Sequence, residues 1–237
     1  MIPPVTPVHF KSTHRLIPSK FSEEGSVLAA VSDDDAMLAD LAELDGATNE
    51  RLLSEEGLLP GISVYELVFG VRYAHIVNAA FTHKNPAGAR FNDGARGAWY
   101  AGLERETSIA EVAYHKARQL KNIDWTEEEV STYDDYLADF TTEFHDLRGE
   151  DRRYRKYLKP EPVPECYADS QQFAKELLAE QSNGVIYPSV RRPGGTCVVC
   201  FRPALVYHVE RGSRMEMRIR VDGDEMMLRT RKVPVVD

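Results

Sequence analysis

Cysteine and long apolar runs are scarce in this sequence. The 237 residues include three cysteines, an odd number that favours a reducing cytoplasm over a disulfide framework. No apolar run approaches the roughly 18 residues that a membrane helix needs. The Pro-rich N-terminus lacks the basic start and apolar centre of a signal peptide. We therefore expect a cytoplasmic protein with no membrane partner.

Positive charge is also in short supply. The chain has 29 Lys and Arg against 38 Asp and Glu, so its net charge is −9. A general nucleic-acid binder needs a surplus of cations that neutralise phosphates. We expect no direct contact with nucleic acid, and the length favours one large domain over two.

Common metal and nucleotide motifs are missing or incomplete. Cys197 and Cys200 lie three apart in a predicted strand, so they should point to opposite faces, and no second cysteine pair completes a zinc site. Glu111 and His115 lie four apart on a predicted helix, but a third ligand has no clear candidate. No Walker loop is present. We therefore expect no metal.

The apolar pattern mixes helical and strand periods and predicts an α+β protein. Residues 1–12 are expected to form an arm, and residues 122–135 a loop or short helix. Helices are predicted at about 33–45, 48–57, 108–121 and 170–183. Strands are predicted at 14–19, 98–101, 136–147, 185–190, 196–201, 205–209, 214–221 and 225–230, with a turn at Asp222-Gly223.

A Gly-rich stretch from Gly88 to Gly102 holds the first candidate site residues. Arg90 lies where the backbone can approach a ligand closely, and a guanidinium there can grip a phosphate with two parallel hydrogen bonds. Tyr100 ends a short apolar strand, and Glu111 follows in the first turns of the next helix. A phosphate clamp, an aromatic platform and a carboxylate favour a nucleotide-sugar site.

Each of these residues also has a purely structural interpretation. Arg90 can be a surface charge in a turn, and Tyr100 can be a core residue. Ser108 to Glu111 fits a capping box, in which the glutamate satisfies the N–H of the capping residue. Residues 151–159 interleave basic and aromatic side chains, which favours a solvated loop or a partner contact.

Nine short motifs occur in an order that resembles the RES-domain family in its longer form. They are His14–Ser19, Thr48–Leu52, Ala79–His83, Ala89–Gly94, Trp99–Ala101, Thr107–Glu111, Phe144–Gly149, Asn183–Arg191 and Thr196–Pro203. The resemblance predicts a single domain over 1–237 with a RES-like core over about 13–210. A helical inserted segment is expected over about 22–62 and a C-terminal hairpin over about 211–232.

This resemblance implies both a fold and a function. It implies a mixed-sheet fold similar to diphtheria-toxin-type ADP-ribosyltransferases. It also implies the toxin of a bacterial type II toxin–antitoxin system that degrades NAD, its substrate, by cleaving the nicotinamide–ribose bond. The enzyme would be an NAD phosphorylase with phosphate as co-substrate, or an NAD glycohydrolase. The alternatives are an ADP-ribosyltransferase that modifies a cellular protein and a non-enzymatic binding module. The implied partner is a helix-turn-helix antitoxin of the Xre type, in a hetero-oligomer.

The resemblance also assigns site residues. The family is named for an Arg, a Glu and a Ser, which are matched by Arg90, Glu111 and Ser189, and Tyr100 matches a further tyrosine of the family. The family's early arginine is best matched by Arg15, and Arg72 is a rival. Ala89 stands where many members have a second glycine.

The expected chemistry needs one carboxylate. The nicotinamide ring is cationic in NAD and departs as a neutral molecule, so no acid is required, unlike in ordinary glycosidases. Glu111 is expected to accept a hydrogen bond from the ribose 2′-hydroxyl and to stabilise an oxocarbenium-like transition state. The pyrophosphate or an incoming phosphate is expected at Arg15 and Arg90. Tyr100 is expected to pack on nicotinamide or its ribose, and Ser189 to bind the ribose or the carboxamide.

Overall fold

The computed structural model describes residues 2–22, 61–82, 85–149 and 152–234. The helices predicted at about 33–45 and 48–57 lie outside these residues, as does most of the predicted inserted segment. The strands are β1 (Val5–Pro18), β2 (Trp99–Gly102), β3 (Glu129–Asp146), β4 (Gly184–Pro188), β5 (Thr196–Cys200), β6 (Tyr207–Asp222) and β7 (Glu225–Val233).

The described α-helices are α1 (Ser19–Ser22), α2 (Ala74–Thr82), α3 (Arg105–Asn122) and α4 (Ala168–Ala179). Short 3₁₀ helices lie at Val64–Glu66, Arg152–Leu158, Glu165–Tyr167 and Pro203–Leu205. None of the helices described here has both the length and the apolar character needed to cross a membrane.

The seven strands form one mixed sheet in the order β1-β2-β5-β4-β3-β6-β7. The β3–β4 pair is parallel, and the other described pairs are antiparallel. Because β1 also pairs with β3, the first five strands of this order close into a circuit. The predicted α+β class with a mixed sheet is confirmed. Its similarity to diphtheria-toxin-type enzymes stays a prediction, as does the division of the chain into core and insertion.

Strand β5 separates two apolar cores, because its side chains alternate between the faces of the sheet. Cys197 packs on one side in the cluster that contains Phe173 and Leu177 of α4. Cys200 packs on the other side with Phe81 of α2. Both thiols are free and buried. The prediction that these cysteines face opposite ways is confirmed.

Helix α3 covers a third core and carries part of the candidate site. Its residues Ala113, Ala117 and Leu120 pack against Leu16 of β1 and against methionines of β6. Two alanines on this face allow the helix to lie close to the strands. The helix begins at Arg105, three residues before the predicted start at Ser108.

Several predicted elements have different bounds in the structure. The arm expected over residues 1–12 is largely part of the sheet, because residues 5–10 pair with β3. Pro7 is tolerated there because this half of β1, within the described residues, pairs along one edge only. Strand β3 begins at Glu129, inside the predicted loop. The strands predicted at 205–209 and 214–221 are one strand, β6, which turns into β7 at Asp222-Gly223. Helix α4 begins before Ser170 and ends at Ala179.

Gly184, at the start of β4, provides a test of this packing. Its φ is +145°, and an added Cβ would lie 2.0 Å from the main-chain oxygen of Val199. We expect Gly184→Ala to lower the free energy of unfolding by about 1–3 kcal/mol, because the backbone or the β4–β5 pair must distort. Urea denaturation measures the change. Gly149→Ala is the control, since an added Cβ there meets nothing within 4 Å. Equal stability of both variants would contradict the close β4–β5 approach.

Candidate active site

A cavity of about 450 Å³ lies at the point where β1 and β2 separate. These strands pair at His14 and Gly102, and no other pair joins them in the described part of the chain. Helix α3 borders the cavity, and the Gly-rich loop at Ala89 and Arg90 contributes a wall. The polar and aromatic lining residues are His14, Arg15, Arg90, Tyr100, Ser108, Glu111, His115, Lys116, Gln119, Tyr133, Tyr167 and Tyr187.

The hydroxyl of Ser108 fixes the junction of β1, β2 and α3. It donates to the main-chain carbonyl of His14 at 2.6 Å and accepts from the N–H of Gly102 at 3.0 Å. The N-cap of α3 is Glu104, so Ser108 lies inside the helix. The capping-box interpretation of Ser108 and Glu111 is therefore wrong: the pattern is local, whereas the helix starts earlier.

The Glu111 carboxylate is anchored through one of its two oxygens. Oε1 accepts a hydrogen bond from the Ser189 hydroxyl at 2.6 Å and lies 3.7 Å from the Cys197 sulfur. Burial, with the nearby Glu111 carboxylate, raises the pKa of the Cys197 thiol, which therefore stays protonated and can donate. Within the described residues Oε2 has no hydrogen-bond partner. The second oxygen is thus available to a ligand in the cavity.

Ser189 uses its whole hydrogen-bonding capacity on protein groups. Its oxygen accepts from the N–H groups of Arg191 at 3.1 Å and Arg192 at 3.0 Å while donating to Glu111. A hydroxyl has one donor and two acceptor positions, and all three are occupied. Ser189 lies behind Glu111 and is not among the residues that line the cavity. Its position suits orientation of the carboxylate.

Arg15 borders two cavities. Its guanidinium carbon lies 4.8 Å from the centre of the Trp99 ring, and Nη1 donates to the main-chain oxygen of Tyr100 at 3.2 Å. Its buried Nε has no partner among the described residues. Burial lowers the pKa of Arg15 to about 10, so the group remains cationic at neutral pH. A second cavity of about 460 Å³ shares Arg15, Ala89 and Tyr100 with the first.

Arg90 is buried, so the surface-charge interpretation of this residue is wrong. Nη1 donates to the main-chain oxygens of Tyr157 at 3.2 Å and Lys159 at 2.8 Å. The guanidinium carbon lies 4.9 Å from the centre of the Tyr167 ring. Nη1 provides both of these hydrogen bonds, and in the described part of the chain neither Nε nor Nη2 has a hydrogen-bond partner.

Tyr100 joins the Gly-rich loop to β2. Its hydroxyl accepts from the N–H of Phe91 at 2.9 Å and donates to the Asn92 side-chain oxygen at 2.8 Å. Burial raises the pKa of the Tyr100 phenol, which keeps the proton that this second bond needs. The ring lines both cavities.

Of the six predicted site residues, four line the first cavity, one lies behind Glu111 and one lies elsewhere. The four lining residues are Arg15, Arg90, Tyr100 and Glu111. Ser189 supports Glu111 from outside the lining. Arg72 is exposed, donates to the Tyr73 hydroxyl at 3.2 Å and lines neither cavity. The geometry therefore favours Arg15 over Arg72 as the second site arginine.

Sequence reasoning missed a His–Asp pair at the cavity. Nδ1 of His14 lies 2.9 Å from Oδ2 of Asp135, which is almost completely buried. The signal for His14 was its place beside Arg15 in the same short motif. Asp135 gave no sequence signal, because its segment was predicted as loop or short helix. Within the described residues, no group of three or more His, Cys, Asp or Glu is placed to hold a metal ion.

The Ser108 junction gives a second prediction. Ser108→Ala should lower the free energy of unfolding by about 1–3 kcal/mol, because the His14 carbonyl and the Gly102 N–H lose a buried partner. Thermal or urea unfolding measures this loss. Ser131→Ala is the control, since that hydroxyl donates only to Glu129, two residues away on the same strand. A Ser108→Ala protein as stable as the control would remove Ser108 from this role.

Comparisons with known proteins give one family match and two similar proteins. A family model described as RES domain matches residues 63–220. The uncharacterized protein y4oC of Sinorhizobium fredii (strain NBRC 101917 / NGR234) is 29% identical over 189 residues, which are 80% of this chain and 74% of that protein. A crystal structure of the M. tuberculosis MbcT–MbcA toxin–antitoxin complex aligns with a TM-score of 0.41 and 13% identity, over 96% of this chain and 86% of that one. Because the family model spans well over half of the sequence, the chain belongs to the RES domain family.

Proposed function

We propose that this chain is an NAD-degrading enzyme that breaks the nicotinamide–ribose bond, and that it acts as the toxin of a toxin–antitoxin pair. The observation that carries the proposal is the Glu111 carboxylate, anchored through one oxygen at a cavity that Arg15 and Arg90 also line. Membership in the RES domain family supports the same activity.

Glu111 is suited to stabilising positive charge on a sugar. Nicotinamide leaves as a neutral molecule, so positive charge develops on the ribose in the transition state. A carboxylate that is already fixed meets this charge without reorganising during the reaction. Ser189 holds Oε1, and Oε2 accepts the hydrogen bond of the ribose 2′-hydroxyl. In this proposal Ser189 positions Glu111 and does not itself bind the substrate.

The two cavities suit a substrate with two halves. Each has a volume typical of small-molecule sites, and they share Arg15 and Tyr100. We place the nicotinamide riboside half beside Glu111, the pyrophosphate at Arg15 and Arg90, and the adenosine half in the second cavity. Paired arginines with unused N–H groups are the side chains best fitted to a pyrophosphate.

The partner belongs to the proposal as well. An enzyme that empties the NAD pool would kill its own cell, so its activity must be restrained. We propose that a separate helix-turn-helix protein of the Xre type binds over the cavity in the cytoplasm, in a hetero-oligomer. Such a protein would also bring any DNA into the complex, because the acidic chain is not expected to bind DNA itself.

Glu111→Gln tests the activity. We expect the wild-type protein to release nicotinamide from NAD, and the variant to do so at least about 100-fold more slowly, because a neutral amide cannot stabilise the developing charge. Glu106→Gln is the matched control, since Glu106 is exposed on the same helix and lines neither cavity. Chromatography follows nicotinamide, with and without added phosphate.

The outcomes separate the alternatives. Near wild-type turnover by Glu111→Gln would end the catalytic assignment. A folded wild-type protein that binds NAD without cleaving it would be a binding module. Label transferred from NAD to a cellular protein, in place of free ADP-ribose or its phosphate, would identify an ADP-ribosyltransferase.

Expression in bacteria tests the toxin assignment. The chain alone should arrest growth and lower cellular NAD, whereas Glu111→Gln should do neither. Co-expression with the helix-turn-helix protein encoded beside it should restore both growth and NAD, and the two proteins should co-purify. Normal growth and undiminished NAD, despite soluble folded wild-type protein, would contradict the toxin assignment.

A further inference from the structure

The His14–Asp135 pair has features that a structural histidine does not need. His14 is one of the residues that line the same cavity as Glu111. Its Nδ1 lies 2.9 Å from Oδ2 of Asp135. The other carboxylate oxygen, Oδ1, is buried and has no partner among the described residues. Burying a carboxylate is costly unless the group is paired. The His14 imidazole is therefore the partner on which this buried carboxylate depends.

Strand register explains how the two side chains meet. In the β1–β3 ladder His14 pairs with Leu137 and Leu16 pairs with Asp135. Because side chains alternate along a strand, His14 and Asp135 lie on the same face of the sheet, diagonally across the ladder. The main-chain oxygen of His14 is also held by Ser108, so the root of the side chain is fixed.

The pairing determines which ring nitrogen can act as a base. A carboxylate accepts a hydrogen bond from Nδ1–H, which leaves the lone pair of the neutral imidazole on Nε2. Nε2 has no hydrogen-bond partner in the described part of the chain. Nε2 is therefore the unused acceptor of a residue that lines the cavity.

Building on the NAD-cleaving function proposed above, we infer that His14 is the general base for a water molecule that attacks the ribose, and that Asp135 positions its imidazole. The water oxygen forms a bond to C1′ of the nicotinamide ribose. The C1′–N bond breaks, and its electron pair stays on the nicotinamide, which leaves neutral. The proton of the water passes to Nε2 of His14, where Asp135 stabilises the imidazolium, and then to solvent. The products are ADP-ribose, nicotinamide and one proton.

In the mechanism proposed above, Glu111 does not fill this role. One of its oxygens is taken by Ser189, and the other is required at the ribose 2′-hydroxyl. An incoming phosphate would need no base, because it is already an anion and is instead held by arginines. His14 therefore serves hydrolysis and is dispensable for phosphorolysis.

His14→Asn separates the two reactions. Purified protein is mixed with NAD, without phosphate and then with saturating phosphate, and ADP-ribose and its phosphorylated counterpart are quantified. We expect hydrolysis by the variant to fall about 100-fold, the scale of general-base catalysis, with the KM for NAD unchanged. Phosphorolysis should stay within about threefold of wild type.

Further variants test whether the effect is specific to His14, whether Asp135 positions its ring, and whether the protein folds. His9→Asn removes an exposed histidine of the same strand, whose ring bonds Thr141, and should change neither reaction. Asp135→Asn should lower kcat for hydrolysis with KM unchanged, because the imidazole loses its fixed tautomer. If His14→Asn does not fold, as judged by thermal unfolding, His14→Gln replaces it.

Three possible results overturn the base assignment, and a fourth overturns the proposed function. Unchanged hydrolysis in folded His14→Asn or His14→Gln protein overturns the base assignment. So does a wild-type protein that cleaves NAD only when phosphate is present. An equal loss of both reactions would make His14 a binding residue and also overturns it. A wild-type protein that releases no nicotinamide under any condition instead overturns the proposed function.

Discussion

One hydroxyl, that of Ser108, joins the three segments on which the cavity depends. It bonds β1 through the His14 carbonyl and β2 through the Gly102 N–H, and it belongs to α3 itself. The two strands meet in a single described pair at this point. The cavity lies beside this junction, and the Ser108 side chain holds its three segments together.

The charges of the site are held apart and are not neutralised by each other. Arg90 is held by main-chain carbonyls, Arg15 by a carbonyl and an indole ring, and Glu111 by a hydroxyl. Within the described residues, no ion pair joins either arginine to Glu111. Neutral partners hold each charged group in position without cancelling its charge. Such an arrangement suits a ligand that carries charges of both signs.

Local patterns in the sequence were enough to find much of this site. Arg90, Tyr100 and Glu111 fall within one stretch of 22 residues, where loop, strand and helix signals are readable from neighbouring residues. Long-range pairing was not readable in the same way. The Pro-containing start of β1 looked like an arm because its partner strand lies more than a hundred residues away. Asp135 was missed for the same reason, since its importance depends on register with β1 and not on any neighbour in sequence. Ser108 misled in the opposite sense, because a local capping pattern matched residues whose real partners are distant.

The pairing of β1 with β3 also governs when the cavity can exist during synthesis. His14 of β1 pairs with Leu137 of β3, and Glu111 is held by Ser189, so parts of the site lie far apart in the sequence. Contacts of such long sequence separation form late and slow folding, because the intervening loops must first be closed. Until β4 and β5 are synthesised, the chain lacks Tyr187 and Cys197, which line the cavity, and Ser189, which holds Glu111. Assembly of the cavity therefore depends on segments that lie far apart in the sequence, and a fragment that lacks β4 and β5 cannot complete it.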